Sequence, residues 1–322
     1  MAGNSASAKR DEFGRRPFAE RLKKDVNQNL GAYIMVLPVL AFYLVFAYKP
    51  MFGAVIAFKN FSPARGIFAS AWTENYGFKH FIDFFKSFYF GRTLRNTITI
   101  SLSGIIFGFP VPIILALLIN EVKNRYFKKT VQTISYMPHF ISLVVVCSMV
   151  YLFTDEKAFI VQIMRFFGYK GDQNLLNIKE LFVPIYVISG IWQSSGWSCI
   201  IYLAALSGVD MELYEAARID GAGRWRQTVH VTMPALVPTI VLLFILAIGG
   251  IMNVGYEKII LLYNNFVMET ADVISSYVYR RGLINGNWSF STAVGLFNSV
   301  INFTLVVAAN RISRKVTGKG LW

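Results

Sequence analysis

The sequence predicts an all-α membrane protein with six transmembrane helices. Three observations carry this. Apolar runs of nearly 20 residues or more recur along the chain, each long enough to cross a bilayer as a helix. Charged residues make up 16% of the 322 residues, where a soluble domain carries about a quarter. Lysine and arginine collect in alternate connections between the apolar runs, as they do when those connections share one side of a membrane.

Residues 1–29 form a basic, polar tail. Within it Phe18, Leu22 and Val26 recur every four residues, with Arg16, Arg21, Lys23 and Lys24 around them. That spacing predicts a short amphipathic helix on the membrane surface, preceded by a disordered stretch over 1–15. Six spans follow within 30–310: Leu30–Tyr48, Thr97–Ile119, Ile134–Thr154, Phe182–Leu206, Pro234–Met252 and Ser291–Asn310. Pro38, Pro110 and Pro112 fall inside spans and are expected to mark kinks or helix ends. A basic tail, 311–322, closes the chain. The first span reads as an uncleaved signal-anchor, because no short apolar segment with a small-residue cleavage site precedes it.

Orientation follows from the short connections. The second-to-third connection holds Lys123, Arg125, Lys128 and Lys129; the fourth-to-fifth holds Arg218, Arg224 and Arg226; the closing tail holds Arg311, Arg314, Lys315 and Lys319. With six spans these lie on the side of the basic N-terminal tail, so both termini are expected to be cytoplasmic. The opposite side receives 49–96, 155–180 and roughly 255–290. The first of these carries Phe78, Phe81, Phe84, Phe85, Phe88, Tyr89 and Phe90, an aromatic density suited to an amphipathic element that caps the bundle.

The formal charge of +14 raises nucleic acid as a partner, but membrane-flanking lysine and arginine account for it, and no nucleic-acid binding is expected. Cys147 and Cys199 both lie in apolar runs, which argues against a disulfide framework, and with three histidines they make no metal site. No G-x-x-x-x-G-K-[ST] loop is present, and no catalytic constellation stands out. His139, after Pro138, reads as a packed or interfacial histidine.

A polar island at about 207–233 separates the fourth and fifth spans. Asp210 can cap a helix carrying Leu213, Tyr214, Ala217 and Ile219, and Gly221 falls where a left-handed C-terminal cap belongs. A second short helix is expected over Trp225–Val231, ending at Pro234. Ala216 and Ala217 admit close approach. Leu213, Tyr214, Ile219 and Trp225 make an apolar patch rimmed by Asp210, Glu212, Arg218 and Arg226. Such a patch fits a protein partner; the plainer alternative is an interfacial connector.

Inside the spans and at their ends, polar groups are costly and tend to face a cavity. Gln193, Asn253, Asn298 and Asn302, with the aromatics Trp192, Trp197, Tyr202 and Tyr256, are candidates for a pathway in which amides pair with hydroxyls and rings cover C–H faces. The same amides also serve to join helices, and tryptophan also marks interfaces. Glu257 and Lys258, at the outer end of the fifth span, either contact an extracellular protein or face water.

Here the chain resembles a family. Glu215-Ala216-Ala217, then after three residues Gly221, then Val231-Thr232-Met233-Pro234 is similar to the E-A-A…G…I-x-L-P loop of the membrane subunits of bacterial ABC importers. Valine and methionine stand where that pattern has isoleucine and leucine. Ile201-Tyr202-Leu203-Ala204-Ala205-Leu206, Ile219-Asp220-Gly221-Ala222 and Ala308-Ala309-Asn310-Arg311 resemble the sugar-importing branch, most of all permeases for acidic oligosaccharides such as pectin fragments or alginate. The likeness covers about Gly31 to Trp322.

The resemblance implies a type I permease core in a bacterial cytoplasmic membrane and a cytoplasmic coupling helix, with Glu215, Ala216, Ala217, Asp220, Gly221 and Pro234 in the coupling loop. It implies a saccharide substrate, a second homologous permease subunit, two ABC ATPase subunits that bind ATP and Mg, and an extracytoplasmic solute-binding protein. No cofactor and no enzymatic activity are expected in this chain. Two rivals remain. An ion-coupled secondary transporter is disfavoured because no Asp or Glu falls within the six proposed spans. A membrane scaffold that transports nothing is disfavoured by the polar residues inside them.

Overall fold

The computed structural model describes residues 18–318, 320 and 321. The tail over 1–15, with Arg16, lies outside the described residues, as do Lys319 and Trp322. Among the described residues every regular element is a helix, and the one extended pairing is an isolated bridge between Lys59 and Trp72. The chain divides into two compact units, one ending at Ile56 and the other beginning at Ala57.

The first unit holds the amphipathic helix expected from the tail, α1 (Phe18–Gln28), and most of α2 (Leu30–Phe58). Asp25 joins the two: its carboxylate accepts from the Asn29 amide at 2.9 Å and from the Tyr33 hydroxyl at 2.6 Å. Ile34, Met35, Leu37 and Phe46 of α2 are all exposed, as suits an apolar helix whose solvent is lipid.

The second unit is built on α3 (Lys79–Lys86), α4 (Phe88–Glu121), α5 (Arg125–Phe140), α6 (Leu143–Phe153), α7 (Phe159–Phe166), α8 (Lys179–Ser207), α9 (Met211–Ile219), α10 (Arg224–Gly249), α11 (Tyr256–Leu262), α12 (Ile274–Tyr279) and α13 (Trp288–Thr317). The 29-residue α8 is the centre, touching α4, α5, α6 and α10. It meets α5 so closely at Gly196 that a Cβ there would run into the Ser135 carbonyl.

Among the described residues four helices, α2, α4, α10 and α13, are long and apolar enough to cross a membrane by themselves. Two of the expected spans differ. Ile134–Thr154 is not one helix: α5 and α6 meet at 99°, because Pro138 ends α5 in a 3-10 turn and the Ser142 hydroxyl caps α6 by accepting from Val145 N. Helix α8 is long enough, but Ser189, Gln193, Ser194, Ser195 and Ser198 dilute its apolar character. The last helix runs past Asn310 to Thr317, where Gly318 turns the chain at φ 69°. The Asn310 amide oxygen then accepts from Leu321 N at 2.7 Å.

Unlike Pro138, three prolines do not end their helices. Pro50, Pro110 and Pro234 each sit just beyond a π turn: Leu44–Tyr48, Gly104–Gly108 and Thr228–Thr232. In each case the residue four before the proline, whose carbonyl would meet the ring, lies inside that wider turn. The expected break at Pro234 is therefore absent, and the short helix expected over Trp225–Val231 is the first part of the 26-residue α10.

Three apolar clusters fill the second unit. One joins Ala116 and Ile119 of α4, Cys199, Tyr202 and Leu206 of α8 and Leu236 of α10. A second includes Cys147, Phe182, Ile259 and Val273. The third, at the opposite end of α4, packs Phe84 of α3 against Phe90, Phe290 and Phe297, so part of the aromatic-rich segment is core. Both cysteines are free and buried.

A polar knot lies beside the third cluster. Asp272 is fully buried, and its Oδ2 accepts from Arg280 at 2.7 Å and from Arg92 at 3.3 Å. Its Oδ1 accepts from the Ser276 hydroxyl at 2.7 Å. The Asn96 amide donates to the carbonyls of Glu269 and Asp272, and the Thr97 hydroxyl accepts from Ile274 N. Removing one partner of a buried pair strands the other charge, at a cost of about 3–5 kcal/mol. Asp272→Ala is expected to lower stability by about that much, read as denaturant unfolding of the detergent-solubilised chain; a change below about 0.5 kcal/mol would exclude the knot as a stabilising element. Gly196→Ala is expected to cost about 1–3 kcal/mol in the same assay through overpacking against α5.

Candidate functional site

The island between α8 and α10 is a closed structural unit. The Asp210 carboxylate accepts from Glu212 N at 3.0 Å and caps α9, as its position in the sequence suggests. At the other end Gly221 adopts φ 75°. Ala222 N donates to the Ala217 carbonyl at 2.8 Å and Gly221 N to that of Arg218 at 3.0 Å, the paired bonds of a Schellman cap. Asp220 is the C-cap residue, its N–H donating to the Ala216 carbonyl. No atom lies within 4 Å of where a Gly221 Cβ would sit, so glycine is required there by backbone conformation and not by space.

Two side-chain contacts fasten α9 to the start of α10. The hydroxyls of Tyr214 and Thr232 lie 3.0 Å apart, with Thr232 buried, and the Gln227 amide donates to the Ala222 carbonyl at 2.7 Å. What remains outside is the face the motif describes. Glu215 and Ala216 are exposed and Ala217 is half-buried. The Glu215 carboxylate makes no hydrogen bond or ion pair among the described residues. Met211, Leu213, Ile219 and Trp225 are exposed beside it, Ile219 at 87% and Trp225 at 78%. A charge-rimmed apolar surface on a rigidly capped helix can seat a partner without first being ordered. Pro234 lies apart from this face, inside α10 behind the π turn.

The pathway candidates do not converge. Gln193 donates to the Ile141 carbonyl at 3.4 Å, bridging α8 to the break between α5 and α6. Asn302 is buried; its oxygen accepts from Met252 N at 3.1 Å and its amide donates to Asn253 at 3.0 Å, holding the chain as it leaves α10. Asn298 has a buried side-chain oxygen with no partner among the described residues. Trp197 stacks on His139 with ring centroids 4.8 Å apart, and Tyr256 on Tyr279 at 5.1 Å. Trp192 borders an apolar cavity with Val146, Phe153 and Ile188.

Only Tyr202 of these eight lines the cavity of about 370 Å³ enclosed by α4, α8 and α10. The polar face of that cavity is a stripe, Gly190, Ser194, Ser198 and Tyr202, spaced four residues apart on α8. The stripe is visible in the sequence as an i, i+4 series, but small serines and a glycine give a weaker signal there than amides and tryptophans do. Glu257 is exposed, but Lys258 does not face water: it is buried, donates to the Tyr186 carbonyl at 2.9 Å and lies 4.5 Å from the Tyr186 ring. Position beside an apolar run had suggested exposure; a carbonyl and an aromatic face replace solvent instead.

Comparison with known proteins agrees with this geometry. Residues 108–318 match the family described as binding-protein-dependent transport system inner membrane component. The chain is 44% identical, over 94% of its own length and 94% of the relative's, to the polygalacturonan/rhamnogalacturonan transport system permease protein YteP of Bacillus subtilis. It is 42% identical to protein LplB of the same organism, over 90% of each chain. A solved structure of a bacterial alginate ABC transporter, in complex with an alginate pentasaccharide-bound periplasmic protein, contains a chain that it matches with a TM-score of 0.83 and 41% identity, covering 94% of this chain and 100% of that one. The chain belongs to the binding-protein-dependent transport system inner membrane components, the permease subunits of ABC transporters.

Proposed function

We propose that this chain is a membrane-crossing subunit of an ATP-driven importer of an acidic oligosaccharide, and that α9 couples it to a separate ATPase. The observation that carries the reading is the capped helix with its free Glu215 and its exposed Leu213, Ile219 and Trp225. Such a surface suits a groove on a soluble partner. Fixed to α10 through Tyr214 and Thr232, it would pass a displacement of that partner directly into a membrane helix.

The remaining parts of the assembly follow from the family. A second permease completes the membrane pathway, two ATPase subunits supply ATP and Mg chemistry, and a solute-binding protein delivers the sugar outside. The six expected spans, with α5 and α6 as one broken span and α8 as another, put both termini and the α9 loop on the cytoplasmic side. Transport is alternating access: closure of the ATPases moves the coupling helices and rocks the pathway from inward-facing to outward-facing. The relatives' polygalacturonan, rhamnogalacturonan and alginate are saccharides rich in carboxylates, which supports that substrate class here.

Gly221→Val places a β-branched residue in the left-handed region and is expected to reduce ATP-dependent sugar uptake at least tenfold, with normal amounts of chain in the membrane; Gly221→Asn is expected to retain more. Uptake unaffected by Gly221→Val would remove the loop from the mechanism. Asp210→Ala costs about 1 kcal/mol of capping, so the Glu212 amide is expected to exchange about fivefold faster with deuterium, with α13 unchanged.

A further inference from the structure

At the opposite end of the bundle from α9, three arginines surround a cavity of about 600 Å³: Arg92, near the start of α4, and Arg280 and Arg281, which follow α12. Arg92 is separated from Ile119, at the α9 end of α4, by about 40 Å at the helical rise. The size is that of a small-molecule pocket.

Its charge is unbalanced by construction. Asp272 is the one carboxylate in the group and is spent on Arg92 and Arg280, with Ser276 on its other oxygen. Arg281 is left without an acid. Its Nε donates to the Tyr277 hydroxyl at 3.3 Å, and its guanidinium lies 5.8 Å from the Tyr277 ring and 5.7 Å from that of Phe290. Its terminal nitrogens have no acceptor among the described residues. Two further donors are stranded: Arg92 Nε and Arg280 Nη1 are buried and meet no acceptor among the described residues. Buried donors without acceptors are rare, because each forfeits its hydration. Arg92 is held from the other side by the Tyr89 ring at 5.0 Å. The guanidinium groups of Arg92 and Arg280 are thus held in place before anything binds, and that of Arg281 lies beside the Tyr277 and Phe290 rings.

Fixed guanidinium forks with too few carboxylates call for an anion with paired oxygens, which a carboxylate presents at the matching spacing. We propose that the Arg92–Arg280–Arg281 pocket is a uronate subsite, which takes the carboxylate of an acidic sugar at the outer mouth of the transporter. The proposal rests on the importer reading for its placement outside the membrane, but not for its charge chemistry. Asp272 is here a positioning residue and Arg281 the direct contact. A concave pocket between stacked side chains suits a sugar acid better than the side chain of a docked protein, whose face would need a broader, flatter complement.

The test is binding of sodium trigalacturonate, against its fully methyl-esterified form, to the purified full-length chain in nanodiscs. Arg281 is the residue to vary, since it is exposed and stands outside the Asp272 pairing. The expected result is at least tenfold tighter binding of the acid than of the ester, weakening with salt. Arg281→Gln abolishes the difference with the melting temperature unchanged, and Arg281→Lys restores part of it. Equal affinity for acid and ester, no effect of Arg281→Gln, or displacement by inorganic phosphate as effective as by the sugar acid would each overturn the proposal. So would an Arg281→Gln effect seen only when a solute-binding protein is present. Failure of the importer reading is separate: sugar uptake that survives ATP depletion contradicts that reading and leaves acid-selective binding by the purified chain standing.

Discussion

A chain within a bilayer has no water to satisfy its backbone, so the groups freed where a helix stops need partners from within the protein. This constraint organises the second unit. Ser142 caps α6 after the break with α5, Asn302 accepts from Met252 N beyond α10, and Thr97 accepts from Ile274 N at the start of α12. Asn310 holds Leu321 where the chain turns back on α13. Three of the helix prolines, Pro50, Pro110 and Pro234, follow a π turn that makes room for the ring, whereas Pro38, Pro184 and Pro238 sit in continuous α-helix.

The same constraint separates the two ends of the bundle. At one end, caps leave α9 rigid and its apolar face unpartnered, with Tyr214 and Thr232 linking it to α10. At the other, the Asp272 knot satisfies the backbone of 269–274 through Asn96 and Thr97 and leaves three arginines around a cavity. Helix α4 runs between them, contributing Arg92 and Asn96 at one end and Ala116 and Ile119 at the other. Because α8 packs along α4, α5 and α10, a shift of α10 at its α9 end meets close-packed neighbours, Gly196 against Ser135 among them.

The loop between α8 and α10 is legible in the sequence almost residue by residue, because capping is local. Asp210 before an apolar-periodic stretch and Gly221 after it determine both ends of α9 without reference to the rest of the fold. What local pattern does not carry is the partner of each polar side chain. Amides in spans are expensive, which makes Gln193, Asn253, Asn298 and Asn302 candidates for sugar; the fold uses Gln193 and Asn302 on backbone groups, and Asn253 pairs with Asn302. The bend between α5 and α6 was hidden because Pro138 and Ser142 sit within an otherwise unbroken apolar run. Lys258 looked solvent-facing for the converse reason: its carbonyl and aromatic partners lie 72 residues away in sequence, on α8. The arginine pocket joins residues about 180 positions apart, so no sequence window contains it.

The most direct measurement is purification of the tagged full-length chain in mild detergent from its own host, with stoichiometric partners identified by mass spectrometry. The account expects an ABC ATPase and a second permease to come with the wild type, and the ATPase alone to be lost from Glu215→Ala and Gly221→Val. Recovery of the chain by itself, under conditions that keep other transporters of the same membrane intact, would contradict it.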